Sequence, residues 1–201
     1  MDLIGDRWAL LIVRELMFGP KRFTDLRNEL RGISPNVLTQ RLEELEAATI
    51  LRRRQLPPPA ASWIYELTDW GRELEEPILS LGRWAARSPF LQQGLPMTSA
   101  GLLLAMRTLY QPQPDGGFCV QLDLPHGTFR VKGTQSELDL HTTSVPDVVV
   151  SGTADVIDGI LFGDLTFQQQ VAAGNVAYVG DQKAIERFLR AFPLPAPVPP
   201  P

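Results

Sequence analysis

The sequence has one cysteine, Cys119, and two histidines, His126 and His141, in 201 residues. A single thiol excludes an internal disulfide and any cysteine-built metal site. Nucleophile–base pairs are correspondingly few, and no motif surrounds the ones that could form. His126 lies between Pro125 and Gly127, as in a turn, and His141 falls on an expected strand. Asp155 and Asp158 read as surface carboxylates near a helix start, where the helix dipole favours them. Phosphate loops, dinucleotide fingerprints and zinc signatures are absent. The expectation is a protein that is no enzyme, with no catalytic residue, metal or cofactor. Long apolar runs are missing too. The longest, Trp8 to Val13, stops at Arg14-Glu15, far short of the roughly 20 residues of a membrane span. A secretory leader needs a basic start and then a bare apolar stretch, whereas Asp2, Asp6 and Arg7 come first here. The expected compartment is the cytoplasm, with no membrane partner.

The formal net charge of −4 argues, taken whole, against a strongly basic nucleic-acid binder. It is unevenly spread. Residues 1–90 hold 13 basic and 13 acidic residues, and every one of those cations except Lys21 is arginine. The remainder holds 6 basic against 10 acidic and so carries the whole excess. Attraction to a polyanion would therefore come from the placement of charge, not its sum. The length allows one or two domains. Ser88 to Pro96 has two prolines, a glycine and no charge, and reads as a linker. The expected division is 1–88, a linker at 89–97, 98–192, and an extended Pro-rich tail at 193–201.

The first part reads as helices, a hairpin and a helix. Residues 6–18 are apolar nearly all round and end at Gly19-Pro20. In residues 22–31, Phe23, Leu26 and Leu30 share a face and Arg22, Asp25, Arg27 and Glu29 look away, until Gly32 stops the helix. Ser34-Pro35 is a serine cap with proline at the first helical position. Leu38, Leu42 and Leu45 then form a buried stripe, opposite Asn36, Gln40 and Glu43 with Thr39 on the flank. Ile50 to Leu56 and Ser62 to Leu67 read as strands joined by Pro57-Pro58-Pro59-Ala60-Ala61. Thr68-Asp69 can cap a last helix carrying Trp70, Leu74, Ile78, Leu81 and Trp84 on one side, with a kink at Pro77.

Two short helices around a tight turn, followed by a hairpin, make a winged helix-turn-helix. The start of the second helix would then reach base edges in the DNA major groove. Ser34, Asn36, Thr39 and Gln40 sit there, and Asn and Gln can bond adenine bidentately. Arg41, on the side of the helix, and Lys21 and Arg22, before it, are phosphate candidates. Alternation puts Arg53 on one face of the hairpin and Arg52 and Arg54 on the other, so at least one is expected at the DNA. Each feature alone has a plainer reading as a solvated face; only their order argues for DNA.

Gly5-Asp6-Arg7-Trp8, Leu10-Leu11-Ile12, Arg14-Glu15-Leu16, Gly19-Pro20-Lys21-Arg22-Phe23, Gly32 to Leu42 and Tyr65 to Gly71 together resemble HxlR-type winged-helix regulators, over about residues 3–87. The resemblance implies a bacterial, homodimeric transcription factor bound to double-stranded DNA. It also implies a dimer built from an N-terminal helix and the last helix, for which the Trp70, Leu74, Ile78, Leu81, Trp84 stripe is apolar enough. Members usually carry a further stretch with a Cys-Pro pair ahead of the Gly-Asp-Arg-Trp segment. Only Met1 to Ile4 stand there, so thiol sensing of the family type is not expected.

The second part reads as a helix at 98–110 and strands at Phe118 to Leu122, Phe129 to Lys132, Leu138 to His141 and Val148 to Val150. Helices at about 153–162 and 167–173, a strand at Val176 to Val179 and a helix at about 181–192 follow. A curved sheet covered by helices on one face is the expected packing, which makes the whole chain α+β with two domains. Cys119 is expected to pack as a small hydrophobe. Pro146 to Val150, Gly152-Thr153, Leu161-Phe162-Gly163-Asp164, Gly174-Asn175-Val176 and Gly180-Asp181 resemble the sterol carrier protein type 2 family, over about residues 98–192. That resemblance implies an apolar cavity for a hydrophobic small-molecule ligand, with Phe118, Phe129, Phe162, Leu165, Phe167, Val171 and Phe188 as candidate lining; any of them could equally be core.

Two functions stay open on the sequence. One is a regulator whose operator binding is modulated by a hydrophobic ligand. The other is a lipid or hydrophobe carrier that uses its winged helix for dimerisation or protein docking.

Overall fold

A computed structural model describes residues 4–59, 61–92, 94–114 and 116–199. The chain is mixed α+β and forms two compact units, one ending at Leu81 and the other beginning at Gly82. Among the described residues no helix is long and apolar enough to cross a membrane. No cluster of three or more His, Cys, Asp or Glu among them is placed to hold a metal ion.

In the first unit α1 (Arg7–Met17) begins where the Asp6 carboxylate accepts the Trp8 N–H at 2.9 Å. Ala9, Ile12, Val13 and Leu16, at helical spacing, form its buried side. Trp8, Leu10 and Leu11 are half-buried, so the helix is less enclosed than its composition suggests. Glu15 is fully buried, its carboxylate 2.9 Å from Arg14 and 2.7 Å from Lys21. Lys21 and Arg22 form a two-residue strand, β1 (Lys21–Arg22), where a helix start is expected. So short a strand has no periodicity to read, and it forms because another strand offers its free edge.

Next, α2 (Phe23–Glu29) buries Leu26. After Gly32, at φ +89°, comes α3 (Pro35–Ala47). The Ser34 hydroxyl accepts the Val37 N–H at 3.3 Å, and Pro35 opens the helix, whose missing N–H costs nothing there. Leu38, Leu42 and Leu45 are buried as their spacing predicts. The helix ends in a Schellman arrangement. Thr49, at φ 60°, donates to the Glu46 carbonyl at 2.9 Å, and Ile50 donates to the Leu45 carbonyl at 3.0 Å.

β2 (Leu51–Gln55) and β3 (Trp63–Leu67) form an antiparallel hairpin, and β1 pairs with the other edge of β3, in the order β1-β3-β2. Thr68 caps α4 (Asp69–Arg72), accepting the Gly71 N–H at 3.0 Å and donating to the Thr49 carbonyl at 2.6 Å. The last helix does not run through with a kink at Pro77. It stops at Arg72 and restarts as α5 (Glu75–Ala85). Pro77 thus falls in a first turn, where its missing N–H and its ring break no i−4 bond.

In the second unit the Thr98 hydroxyl accepts the Gly101 N–H at 3.0 Å to cap α6 (Ser99–Leu109), which buries Leu102, Leu103 and Met106. The strands are β4 (Phe118–Leu124), β5 (Gly127–Gly133), β6 (Leu138–Asp139) and β7 (Val148–Ser151). Then follow α7 (Ala154–Phe162), α8 (Phe167–Ala172), β8 (Ala177–Gly180) and α9 (Gln182–Arg190). The sheet order is β6-β5-β4-β7-β8, with β4 and β7 parallel and the other pairs antiparallel. Alternation along β4 turns Phe118, Val120 and Leu122 inward, and Phe118 meets Phe188 of α9 edge to face at 5.5 Å. Tyr110 and Phe192 complete this aromatic cluster. Cys119 is buried, and burial pushes its thiol up from its ordinary range.

One expectation about α7 needs correction. Asp155 is exposed near the helix start and accepts the Met97 N–H, but Asp158 is half-buried one turn further on. Burial, with Asp155 adding repulsion, pushes the Asp158 carboxyl up to about 6.

Candidate nucleic-acid interface

The outward side of α3 changes character along its length. Asn36, Thr39 and Gln40 are exposed and uncharged in the first two turns, whereas Glu43, Glu44 and Glu46 are exposed in the last two. A recognition helix meets bases with its N-terminal end, which is also the positive end of its dipole. Gln40 donates to Glu44 at 2.9 Å across one turn, a solvent-exposed bond. Ser34 is exposed, and its hydroxyl is used by the Val37 N–H.

The expected phosphate contacts are not equivalent. Lys21 is committed to buried Glu15 at 2.7 Å. Arg41 is held by Asp6 at 3.2 Å and by Glu44, and so ties α3 to the start of α1. Arg22 is exposed, its backbone N–H donates to Asp25 at 3.1 Å, and its side chain has no ion-pair partner among the described residues. Sequence reading passed over Arg27 and Arg31, because a charged residue opposite a leucine stripe looks merely solvated. Both are exposed and have no ion-pair partner among the described residues. Arg31 lies three residues before the cap of α3, and in a helix-turn-helix the first helix crosses the DNA backbone. The helix order was the available signal for both.

On the wing, pairing sets Arg52 opposite Glu66, Arg53 opposite Tyr65 and Arg54 opposite Ile64. Arg52 donates from Nε to Glu66 Oε1 at 2.7 Å, and Arg54 donates from Nη2 to Oε2 at 3.1 Å. Glu66 is only 8% exposed, while the two arginine side chains are 62% and 46% exposed. The charge-assisted bond from Arg54, and then that from Arg52, hold the Glu66 carboxyl below its ordinary 4.5 against the opposing cost of burial. Arg53 points to the other face, where its guanidinium carbon lies 4.3 Å from the centre of the Trp63 ring. Glu66 and Trp63 were not legible as partners because the strand register that selects them was not known.

This arrangement of capped helix, hairpin and Thr-Asp-Trp-Gly segment coincides with a known family. The family described as HxlR-like helix-turn-helix matches residues 3–93. The HTH-type transcriptional regulator YodB of Bacillus subtilis (strain 168) is 40% identical over 84 residues, which span 42% of this chain and 75% of YodB. The chain belongs to the HxlR-like helix-turn-helix family. A second relative in the same organism, the uncharacterized HTH-type transcriptional regulator YvaP, is 34% identical over 85 residues, 42% of this chain and 79% of its own. The reduced form of YodB from B. subtilis aligns with 44% of this chain and 87% of its own at 37% identity, with a TM-score of 0.42.

Outside the wing and α3, this HxlR-like chain distributes its expected sites unevenly. Of the stripe expected at a dimer contact, Trp70, Leu81 and Trp84 are exposed, Leu74 is half-buried and Ile78 is buried. The residues expected to line a ligand cavity differ in burial. Phe118 and Phe188 belong to the aromatic cluster, and Phe167 packs on Tyr178 at 5.4 Å. Phe129, Phe162 and Val171 are half-buried, and Leu165 is exposed. A groove of about 610 Å³ in the second unit is lined by residues including Trp84, Phe90, Leu91, Leu95 and Val198. Three of these lie in the uncharged segment read as a linker.

Proposed function

We propose that this protein is a DNA-binding transcriptional regulator in which Asn36, Thr39 and Gln40 read base edges and exposed arginines hold the backbone. The observation that carries this reading is the polarity of α3. Its outward face is uncharged where a major groove would be met and acidic only where the helix would leave it, and Arg22, Arg27 and Arg31 precede its start. Arg52, Arg53 and Arg54 supply the wing. Ser34 and Arg41 then act mainly by holding α3 in place, and Lys21 by tying β1 to α1. The charge-neutral composition of this part is no obstacle, because Arg22, Arg27, Arg31 and Arg53 have no ion-pair partner among the described residues.

The reading extends to the parts the family match does not cover. Residues 1–88 serve as the DNA reader and 98–192 as a sterol-carrier-protein-like companion, with 89–97 linking them and 193–201 as a tail. The order of the five strands and the helices packed on them support that likeness. A hydrophobic small molecule held there would modulate DNA affinity only if it bound one form of the protein more tightly than another. The exposed Trp70, Leu81 and Trp84 support a homodimer through that stripe.

The test is fluorescence anisotropy with a duplex taken from immediately upstream of the protein's own coding sequence, and a scrambled duplex as reference. The wild type is expected to prefer the upstream duplex and to lose affinity steeply with salt. Gln40→Ala is expected to lose about 1–3 kcal/mol of preference while keeping its salt slope. Equal binding of both duplexes by wild type and variant would refute base reading by α3.

A further inference from the structure

The three wing arginines carry their charge differently, and the difference comes from β3. Arg52 and Arg54 share one carboxylate, Glu66, so that trio presents a single net positive charge. Arg53 has no carboxylate within ion-pair distance of its side chain among the described residues. Its guanidinium lies over the Trp63 indole, 4.3 Å from the ring centre. The register accounts for the contact. Arg53 stands opposite Tyr65 and Gln55 opposite Trp63, so Arg53 and Trp63 are diagonal neighbours on one face of the hairpin. The backbone N–H of Arg53 donates to Glu46 Oε1 at 3.0 Å, which fixes the strand at that residue against the last turn of α3. Trp63 is 47% exposed, so half of a large aromatic surface stays in water while its ring holds a cation.

We propose that Trp63 is a positioning residue of the wing: its indole holds the Arg53 guanidinium in a preset orientation, so that the DNA backbone meets an ordered charge with no ion-pair partner among the described residues. This rests on the DNA-binding reading above and names the side chain that makes one wing contact effective. An aromatic ring suits the task better than a carboxylate. A cation over a ring face keeps its full charge and leaves its N–H donors free at the rim, whereas an ion pair uses both. A long arginine side chain loses about 2 kcal/mol of rotamer freedom when fixed, and stacking removes part of that cost before DNA arrives.

The experiment measures anisotropy across a salt series for wild type, Arg53→Ala, Trp63→Ala, Trp63→Phe and the double variant Arg53→Ala/Trp63→Ala, on the upstream and scrambled duplexes. Arg53→Ala is expected to weaken both duplexes alike and to make the salt slope shallower by about 0.9. Trp63→Ala is expected to bind about two- to fivefold more weakly, the range of an exposed cation–π contact. Trp63→Phe is expected to recover most of that loss. In the Arg53→Ala background, Trp63→Ala is expected to cost nothing further, since the two act as one unit.

A Trp63→Ala loss of the same size with and without Arg53 would overturn the proposal, as would a loss that Trp63→Phe leaves uncorrected. A normal Trp63→Ala affinity beside a weakened Arg53→Ala would also overturn it. Circular dichroism melts of each variant separate these outcomes from unfolding. If Trp63→Ala does not fold, Trp63→Leu, which keeps apolar bulk but has no ring, decides the question with and without Arg53 through the same coupling. If Arg53→Ala leaves affinity and slope unchanged while wild type still prefers the upstream duplex, the proposal fails and the DNA-binding reading stands. If wild type shows neither preference nor salt dependence, the DNA-binding reading itself fails.

Discussion

Replacing Glu66 by glutamine should trade fold stability for charge on the wing. Two arginines bond to this one carboxylate, at 2.7 Å from Arg52 and 3.1 Å from Arg54. Exposed ion pairs are worth about 0.2–1 kcal/mol each, and both arginines are well exposed, so Glu66→Gln should destabilise the fold by about 1 kcal/mol. That corresponds to a fall of roughly 4–8 °C in Tm for a domain of this size. The loss depends on pH in a defined direction. The folded-state carboxyl titrates below its ordinary 4.5, so its stabilising effect is complete above about pH 5 and disappears as pH falls through the lower folded value. Glutamine does not titrate. The gap between wild type and Glu66→Gln, read from thermal melts at several pH values, should therefore close on acidification. On DNA the sign reverses. With the carboxylate gone, the trio's net charge rises by one, and the salt slope should steepen by up to about 0.9. A stability gap that stays constant down to pH 3 would refute the ion-pair account, and an unchanged salt slope would remove Arg52 and Arg54 from the DNA contact.

Three further substitutions test the packing. Gly71→Ala would place a Cβ 1.9 Å from the Ile50 carbonyl oxygen, a clash between two backbones that must move α4 off the hairpin; a loss of at least about 3 kcal/mol in urea unfolding is expected. Thr49→Gly should stabilise by about 1 kcal/mol, because a β-branched residue at φ 60° bears a steric cost that glycine escapes; an unchanged or lower midpoint would contradict this. Asp158→Asn should raise stability at pH 7 and leave it unchanged near pH 3.5. The folded carboxyl titrates at about 6 against an ordinary 3.8, so wild-type stability falls as pH rises between those values and stays lowered above them. A full shift of that size would be about 3 kcal/mol, and half-exposure to solvent reduces the expected gain to roughly 1–2 kcal/mol. Equal stability of both proteins at pH 7 would refute it.

What the amino-acid order determined by itself was the set of features that depend on near neighbours. Ser34-Pro35, Thr68, Thr98 and Thr153 each begin a helix through a cap bond spanning three residues. The leucine stripe of α3 and the alternation of β4 fall where their periods place them, and the HxlR-like motif order was recognisable from residues alone. Tertiary structure decided which charges are free and which side chains are enclosed. Lys21, Arg41, Arg52 and Arg54 look the same in sequence as Arg22, Arg27 and Arg31. Glu15, Asp6 and Glu66 engage the former only because folding brings them within reach from 6, 35 and 14 or 12 residues away. The burial of Asp158 and the meeting of Phe118 with Phe188 and Phe192 have the same origin. Helix caps and periods are set by bonds spanning three or four residues, whereas register, burial and ion pairing join residues far apart in the chain and exist only once it has folded.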